Sequence, residues 1–441
     1  MKMVEHLVNS NGVNHAHHAV DFRSFSLDRA ILIYSHLWLL EGAVRKWVPG
    51  TEIIFYFLRD GLLVAALFAA LLTGKKIREK NTALSNILIF WALFVFAIFL
   101  SQTLFGGHPL AVAVVGLRSY LAPALALICG IWYGSSSLLE KLLRLIASYG
   151  VLQAPLVLVQ VLSSPDSRVN AQVFGETATF VNFGIVRATG LFSAPVGLAS
   201  FCAVLLAASL ILFISPEKSD KRLGLAGTAA AVAITALSGS RLAVLGVVIV
   251  AVFLVLPQAF SQNRETRRAT LVSLFVGAIL LTATSLIFPA VLESFTMRFQ
   301  NASISEDSTG RIVEQIFGFL GVPFSFAGDG MGAHSQSGIA LGSQGGWIEI
   351  DSNKWVAELG FLGLIFAFIR LMLAFLFLFR AVGWARSGNV PLVLISGCLI
   401  PLLAFGQITQ LPSNQALFGI VSLLCILIFN RSAPQEPVSA K

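Results

Sequence analysis

FTMRFQNASISEDSTGRIVEQ (295–315), GDGMGAH (328–334), GSQGG (342–346) and WIEIDSNKWVAELGFLG (347–363) mark the long stretch in which this chain stops being apolar. For about 60 residues, polar, charged and glycine residues crowd together before a helical pattern resumes near Lys354. A bilayer core offers no partner to free backbone N–H and C=O groups, so such a stretch must sit in water or over a cavity. In a chain otherwise built for lipid, this loop is where chemistry is expected.

Outward from the loop, apolar runs of span length recur. They fall near 30–47, 51–73, 83–105, 109–133, 138–162, 190–214, 223–239, 241–257, 270–290, 354–379, 391–409 and 414–430. The 441 residues are 56% hydrophobic and only 12% charged, about half the charge of a soluble domain. The fold class expected is an all-α polytopic membrane protein of about twelve spans. Residues 29–430 form a single integral-membrane domain, flanked by an N-terminal tail (1–28) and a C-terminal tail (431–441). The tail 1–28 lacks the apolar core of a cleavable signal, so the first span is expected to direct insertion. Its His15, His17 and His18 have no carboxylate or cysteine pattern around them and are read as a disordered leader. Cys129, Cys202, Cys398 and Cys425 all lie within apolar runs, as small buried side chains do.

The net charge of +8 does not indicate nucleic acid, because the basic residues are scattered through loops between spans. They alternate instead: 19 of the 30 Lys and Arg fall on one side, including KKIREK (75–80), PEKSDKR (216–222) and QNRETRR (262–268). The positive-inside rule makes that side cytoplasmic, with both termini inside. The loops 163–189 and 291–353 then face outward, the latter as the large periplasmic loop between spans nine and ten.

Few basic residues remain outside, and they occupy unusual places. Arg241 follows the turn SGS (238–240), where Gly239 permits the reversal and Ser238 or Ser240 can cap the next helix. Arg311 opens the segment RIVEQIFGFL (311–320). Each is readable as an arginine snorkelling to the interface, or together as a bidentate clamp on a phosphate or pyrophosphate. Arg187, in FGIVRATGLF, can join them. His334 is a candidate general base, or a solvated loop histidine. If WIEIDSNKW turns helical at Asp351, then Asp351, Lys354 and Glu358 share one face. Lys354 and Glu358 suit an ordinary charge pair, and Asp351 either caps the helix or accepts a proton from a hydroxyl nucleophile. Glu41, Arg45 and Lys46 lie at the outer end of span one. Arg59, Asp60, Arg118 and Arg370 fall inside spans, where each charge costs about 2.5–3.5 kcal/mol unless partnered; Asp60 with Arg59 or Arg118 is the expected ion pair.

The outward SGSR turn, the long loop with its arginine, and the glycine-rich approach to DSNKWVAELGFLG together resemble the bacterial O-antigen polymerase and O-antigen ligase superfamily. The likeness covers roughly residues 190–380, and EGAVRKW (41–47) looks like a subgroup signature. It implies a GT-C-like bundle and an inverting glycosyltransferase that needs neither metal nor cofactor. Such an enzyme takes a glycan from undecaprenyl pyrophosphate at the periplasmic face of the inner membrane. The implied roles are Asp351, His334 and Glu358 as catalytic residues, and Arg241, Arg311, Arg187, Lys354 and Arg45 as pyrophosphate and glycan ligands. Members often carry a histidine just before the Asn of the last motif; here the residues are Asp351, Ser352 and Asn353. That departure leaves the base open between Asp351 and His334. The expected activity is polymerisation of lipid-linked repeat units into a surface polysaccharide or exopolysaccharide. Its partners would be the bilayer, a chain-length regulator and a flippase, with no nucleic acid. Ligase-type transfer to a lipid or protein acceptor is the nearest alternative, and a precursor transporter or flippase is the alternative from another class.

Overall fold

A computed structural model describes residues 27–73, 82–173, 180–182, 185–260 and 308–432, with isolated positions between 271 and 296. The expected tails, the span at 270–290 and most of 291–307 lie outside the described residues. The protein is an all-α membrane protein. In chain order the helices are α1 (Leu27–Trp47), α2 (Glu52–Leu72), α3 (Thr82–Phe105), α4 (Leu110–Tyr133) and α5 (Ser136–Leu162). After a short hairpin of β1 (Val181–Asn182) and β2 (Ile185–Val186) come α6 (Pro195–Phe213), α7 (Lys218–Ser238) and α8 (Arg241–Val255). The loop region holds α9 (Ser308–Phe317), α10 (Gln336–Ala340) and α11 (Asp351–Leu359). The chain then returns through α12 (Phe361–Arg386), α13 (Val390–Phe405) and α14 (Pro412–Ser432).

Eight helices among the described residues are long and apolar enough to cross a membrane: α2 to α6, α8, α12 and α14. The remaining expected spans differ for visible reasons. Charges at both ends interrupt α1 and the KSDKR start lowers the hydropathy of α7, while α13 is only 16 residues long.

Burial separates centre from rim. In α6 and α14, 78% of the apolar window is buried, against 17% in α3, whose Phe90, Leu93 and Phe105 point outward as lipid-facing side chains do. The central core is built from α1, α5, α6, α13 and α14, with Trp38, Phe192 and Phe201 packed as an aromatic cluster. Helices α6 and α7 approach closely because small residues face each other: Gly224 lies against the backbone of Ser209 and Phe213, and Gly227 against the Ser209 side chain.

The expected single span at 354–379 is corrected: the helix breaks at Gly360, giving α11 and α12. Gly360 has φ +62°, and a Cβ there would strike the carbonyls of Ser325 and Phe326. Span six likewise starts later than expected, at Pro195, whose fixed φ suits a first helical position. Successive antiparallel helices gather the turns α1–α2, α3–α4, α5–α6, α7–α8 and α13–α14 at one end with α9 to α11. We call this the loop end. Ion pairs at the opposite end tie Arg144 to Glu217 and Asp220, and Arg431 to Glu140.

Candidate functional site

The site is organised on α11, the nine residues DSNKWVAEL between the loop and α12. All of them except Asn353 are buried. The expected shared face exists: Asp351, Lys354 and Glu358 line up along it, and the first two meet Thr409 in the connection between α13 and α14. Asp351 Oδ1 accepts from the Thr409 hydroxyl (2.6 Å) and the Thr409 amide (3.1 Å), and Oδ2 accepts from Arg370 Nη1 (3.0 Å). Lys354 Nζ donates to the Thr409 carbonyl (3.2 Å) and stands 3.8 Å from Glu358 Oε2. Glu358 Oε1 accepts from the His334 amide (3.0 Å), and Oε2 from the Tyr120 hydroxyl (2.9 Å).

Arg370 explains how a charge is held inside the bundle. Its guanidinium donates to the carbonyls of Leu402 (3.0 Å), Leu403 (2.7 Å) and Gly406, where α13 runs out of intrahelical donors, and pairs with Asp351. A cation at a helix C-terminus is also favoured by the dipole. Asp351 is therefore not the accessible carboxylate expected at a helix mouth. It is 2% exposed with both oxygens occupied, and Ile350 takes the N-cap position instead. Glu358 is fully buried in the same way.

The glycine-rich segment folds back onto this platform. Gln102, near the end of α3, donates to the carbonyls of Ala327 (3.0 Å) and Glu358 (2.9 Å) and accepts from the Met331 amide (2.9 Å). Gly332, at φ +84°, lies against Gly116 of α4, and no side chain fits at either position. The result is a cavity of ≈ 670 Å³ between the α3–α4 turn and the loop, bordered by Gln102, His108, Asp329, Ser343 and Gln344.

Asp329 carries the open chemistry of this cavity. Its side chain is 57% exposed, while the His334 side chain behind it is 11% exposed. His334 Nε2 lies 2.9 Å from Asp329 Oδ2, and Nδ1 lies 2.6 Å from the Gly346 carbonyl. Each ring nitrogen faces an oxygen acceptor, so the imidazole is oriented between Gly346 and Asp329. His334 thus holds Asp329, and the carboxylate faces the cavity. Asp329 lay in plain view within GDGMGAH, but nothing in that string distinguishes it from a turn aspartate.

The end of α1 at the loop end supplies positive charge. Arg59 Nη1 donates to Glu41 Oε2 (2.8 Å) and to the Pro412 carbonyl (2.9 Å), and Nε donates to Asp60 Oδ1 (3.0 Å). Arg118 Nη2 lies 2.7 Å from Asp60 Oδ2 as an ion pair, yet none of its nitrogens is aligned for a hydrogen bond. Both expected partners of Asp60 are therefore real. Arg45 pairs with Glu41 (3.1 Å), and the Arg45 and Arg118 guanidinium groups both lie over the Tyr56 ring, at 5.4 and 3.9 Å. Three guanidinium groups thus share two carboxylates. This cluster and the Arg370–Asp351 pair are separate ion-pair networks.

A contact path joins the cluster to both sides of the site. Lys46 Nζ donates to Thr189 Oγ1 (2.8 Å) and the Gly190 carbonyl (2.7 Å), fixing the segment that carries Arg187. On the other side, Ser337 of α10 donates to the Tyr56 hydroxyl (3.3 Å), three residues from His334. Arg187 is half-buried with Nε unpartnered, and burial together with the neighbouring Arg241 charge holds its pKa below the ordinary arginine range. Arg241 starts α8 after Gly239 in the left-handed conformation, and Ser238 Oγ accepts from the Ser240 amide. Neither serine caps α8 by its side chain, contrary to expectation. Arg311, on α9, pairs with Glu349 at 3.4 Å.

No protein-family model, curated protein or solved structure matches the chain.

Proposed function

We propose that this protein is a polysaccharide polymerase of the inner membrane. In this reading it transfers glycan from undecaprenyl pyrophosphate to the hydroxyl of another repeat unit, at the loop end facing the periplasm. The observation that carries the reading is an exposed carboxylate, Asp329, in a polar cavity that the Ser337–Tyr56 contact joins to a cluster with one more guanidinium than carboxylate. Asp329 would accept the proton of the acceptor hydroxyl as that oxygen attacks the anomeric carbon. His334 holds the carboxylate in position and stabilises it. The C–O bond to the pyrophosphate breaks on the opposite face, and Arg187 and Arg241 take the developing negative charge. Arg187 is half-buried and feels the charge of the exposed Arg241, an environment that favours an anion, and the cluster around Arg45 and Arg118 adds to that field.

Asp351, Glu358 and Lys354 then serve as positioning residues beneath the loop. Ligase-type transfer would use the same base and clamp and differ in the acceptor. A flippase needs a cationic passage reaching across the bilayer; Arg59, Arg118 and Arg370 instead divide between two networks with their own carboxylates.

The test is complementation of a deletion strain with Asp329→Asn and with the double variant Arg187→Ala/Arg241→Ala, at matched expression. Loss of long polymer with accumulation of single lipid-linked units is the expected result. Normal polymer from both variants would overturn the proposal, and loss of capping alone would favour the ligase.

A further inference from the structure

A second cleft, of ≈ 640 Å³, lies between α9 and the segment leading into α11. Its lining includes Arg311, Glu314, Gln315, Trp347, Glu349 and Asn353, and it shares no lining residue with the Asp329 cavity. Its volume is within the range of about 300–1,000 Å³ typical of small-molecule sites.

Three features point to a ligand rich in hydroxyl groups. Trp347 is 51% exposed at the cleft, presenting an indole ring of the kind that packs on the C–H face of a pyranose. Carboxylates, amides and a guanidinium then supply both acceptors and donors, with Arg311 paired to Glu349 (3.4 Å). Finally, the Asn353 side-chain amide borders the cleft and offers both a donor and an acceptor type to a hydroxyl-rich ligand. Two carboxylates against one guanidinium leave the cleft net negative, which disfavours phosphate and uronic acid.

The cleft is also rigidly joined to the cavity. Gly346, immediately before Trp347, holds the His334 ring, and the Ile348 amide donates to the His334 carbonyl (3.4 Å). From the other side, Gln410 donates to the Ile348 carbonyl and Gln407 to that of Glu349 (3.3 Å). We infer that this cleft is a sugar subsite for a neutral or amino-sugar segment of the acceptor glycan, holding it beside Asp329. The acceptor role rests on the glycosyltransferase reading; sugar binding at Trp347 does not.

The experiment is saturation-transfer NMR on the full chain in lipid nanodiscs. The probes are neutral, amino-sugar and uronic-acid oligosaccharides and inorganic pyrophosphate, at millimolar concentration. The expected result is binding of neutral or amino-sugar probes that weakens about tenfold in Trp347→Ala and in Asn353→Ala. Trp347→Phe should retain most of that binding, which separates ring stacking from a folding defect. The inference is overturned if no sugar probe binds the wild type, or if both alanine variants bind sugar like wild type. It is also overturned if Trp347→Ala abolishes pyrophosphate or uronate binding instead. Normal polymer from Asp329→Asn with sugar binding lost in Trp347→Ala would remove the transferase and keep the subsite. The reverse pattern would remove only the subsite.

Discussion

At the scale of single residues, the site separates groups that face solvent from groups that hold them. Asp329 and His334 illustrate the division, because the histidine is oriented between Gly346 and Asp329 and the carboxylate is free on its cavity side. Asp329→Asn is expected to lower polymerisation about 10²–10⁴-fold, the usual contribution of a positioned base, while leaving thermal stability unchanged. Polymer synthesis in membranes, with melting in detergent, checks both halves. Asp351 and Arg370 predict the opposite signature. Removing one partner of a buried ion pair strands the other, at a cost of about 3–5 kcal/mol. Asp351→Ala should therefore lower the melting temperature and yield of folded protein by a large margin. Were Asp351→Ala to melt like wild type and still lose activity, Asp351 would act on substrate, and its structural assignment would fail.

Among the elements, the break between α11 and α12 is decisive for the loop. Gly360 lets the chain turn at φ +62° while the Ser325 and Phe326 carbonyls press against it, so the loop can pack onto the end of a spanning helix. Gly360→Val is expected to destabilise the protein by more than about 1 kcal/mol, since a β-branched residue both disfavours this conformation and collides with Phe326. Limited proteolysis of the 320–346 segment should accelerate; an unchanged digestion pattern would show that the loop is held without this contact. This break was hard to see in the sequence, because VAELGFLGLIF reads as uninterrupted helix and glycine within apolar helices is common in membranes. The shared face of Asp351, Lys354 and Glu358 was legible for the converse reason: spacing of three and four is a property of helix geometry alone.

For the molecule as a whole, orientation is the prediction that the charge pattern carries. With the loop end outside, Ser343→Cys should react with a membrane-impermeant maleimide on intact spheroplasts, and Ser387→Cys only after permeabilisation. The four native cysteines are free but buried and contribute little background. Labelling of Ser387→Cys in intact cells would invert the topology and, with it, the proposed periplasmic reaction.

Hydropathy and charge alternation alone determined that the chain is a helical membrane protein, and they singled out the polar stretch before α11 as its unusual part. Those properties are local: they depend on composition along about 20 residues and on the inability of lipid to satisfy bare backbone. Which carboxylate faces solvent was decided only in three dimensions. Asp351 becomes buried because Arg370, 19 residues away, and Thr409, 58 residues away, converge on it. Asp329 becomes exposed because His334 turns behind it and Gln102 of α3 holds the neighbouring loop in place. Contacts between residues so far apart in the chain leave no periodicity or spacing to read, so the roles of chemically alike residues emerged only from their packing.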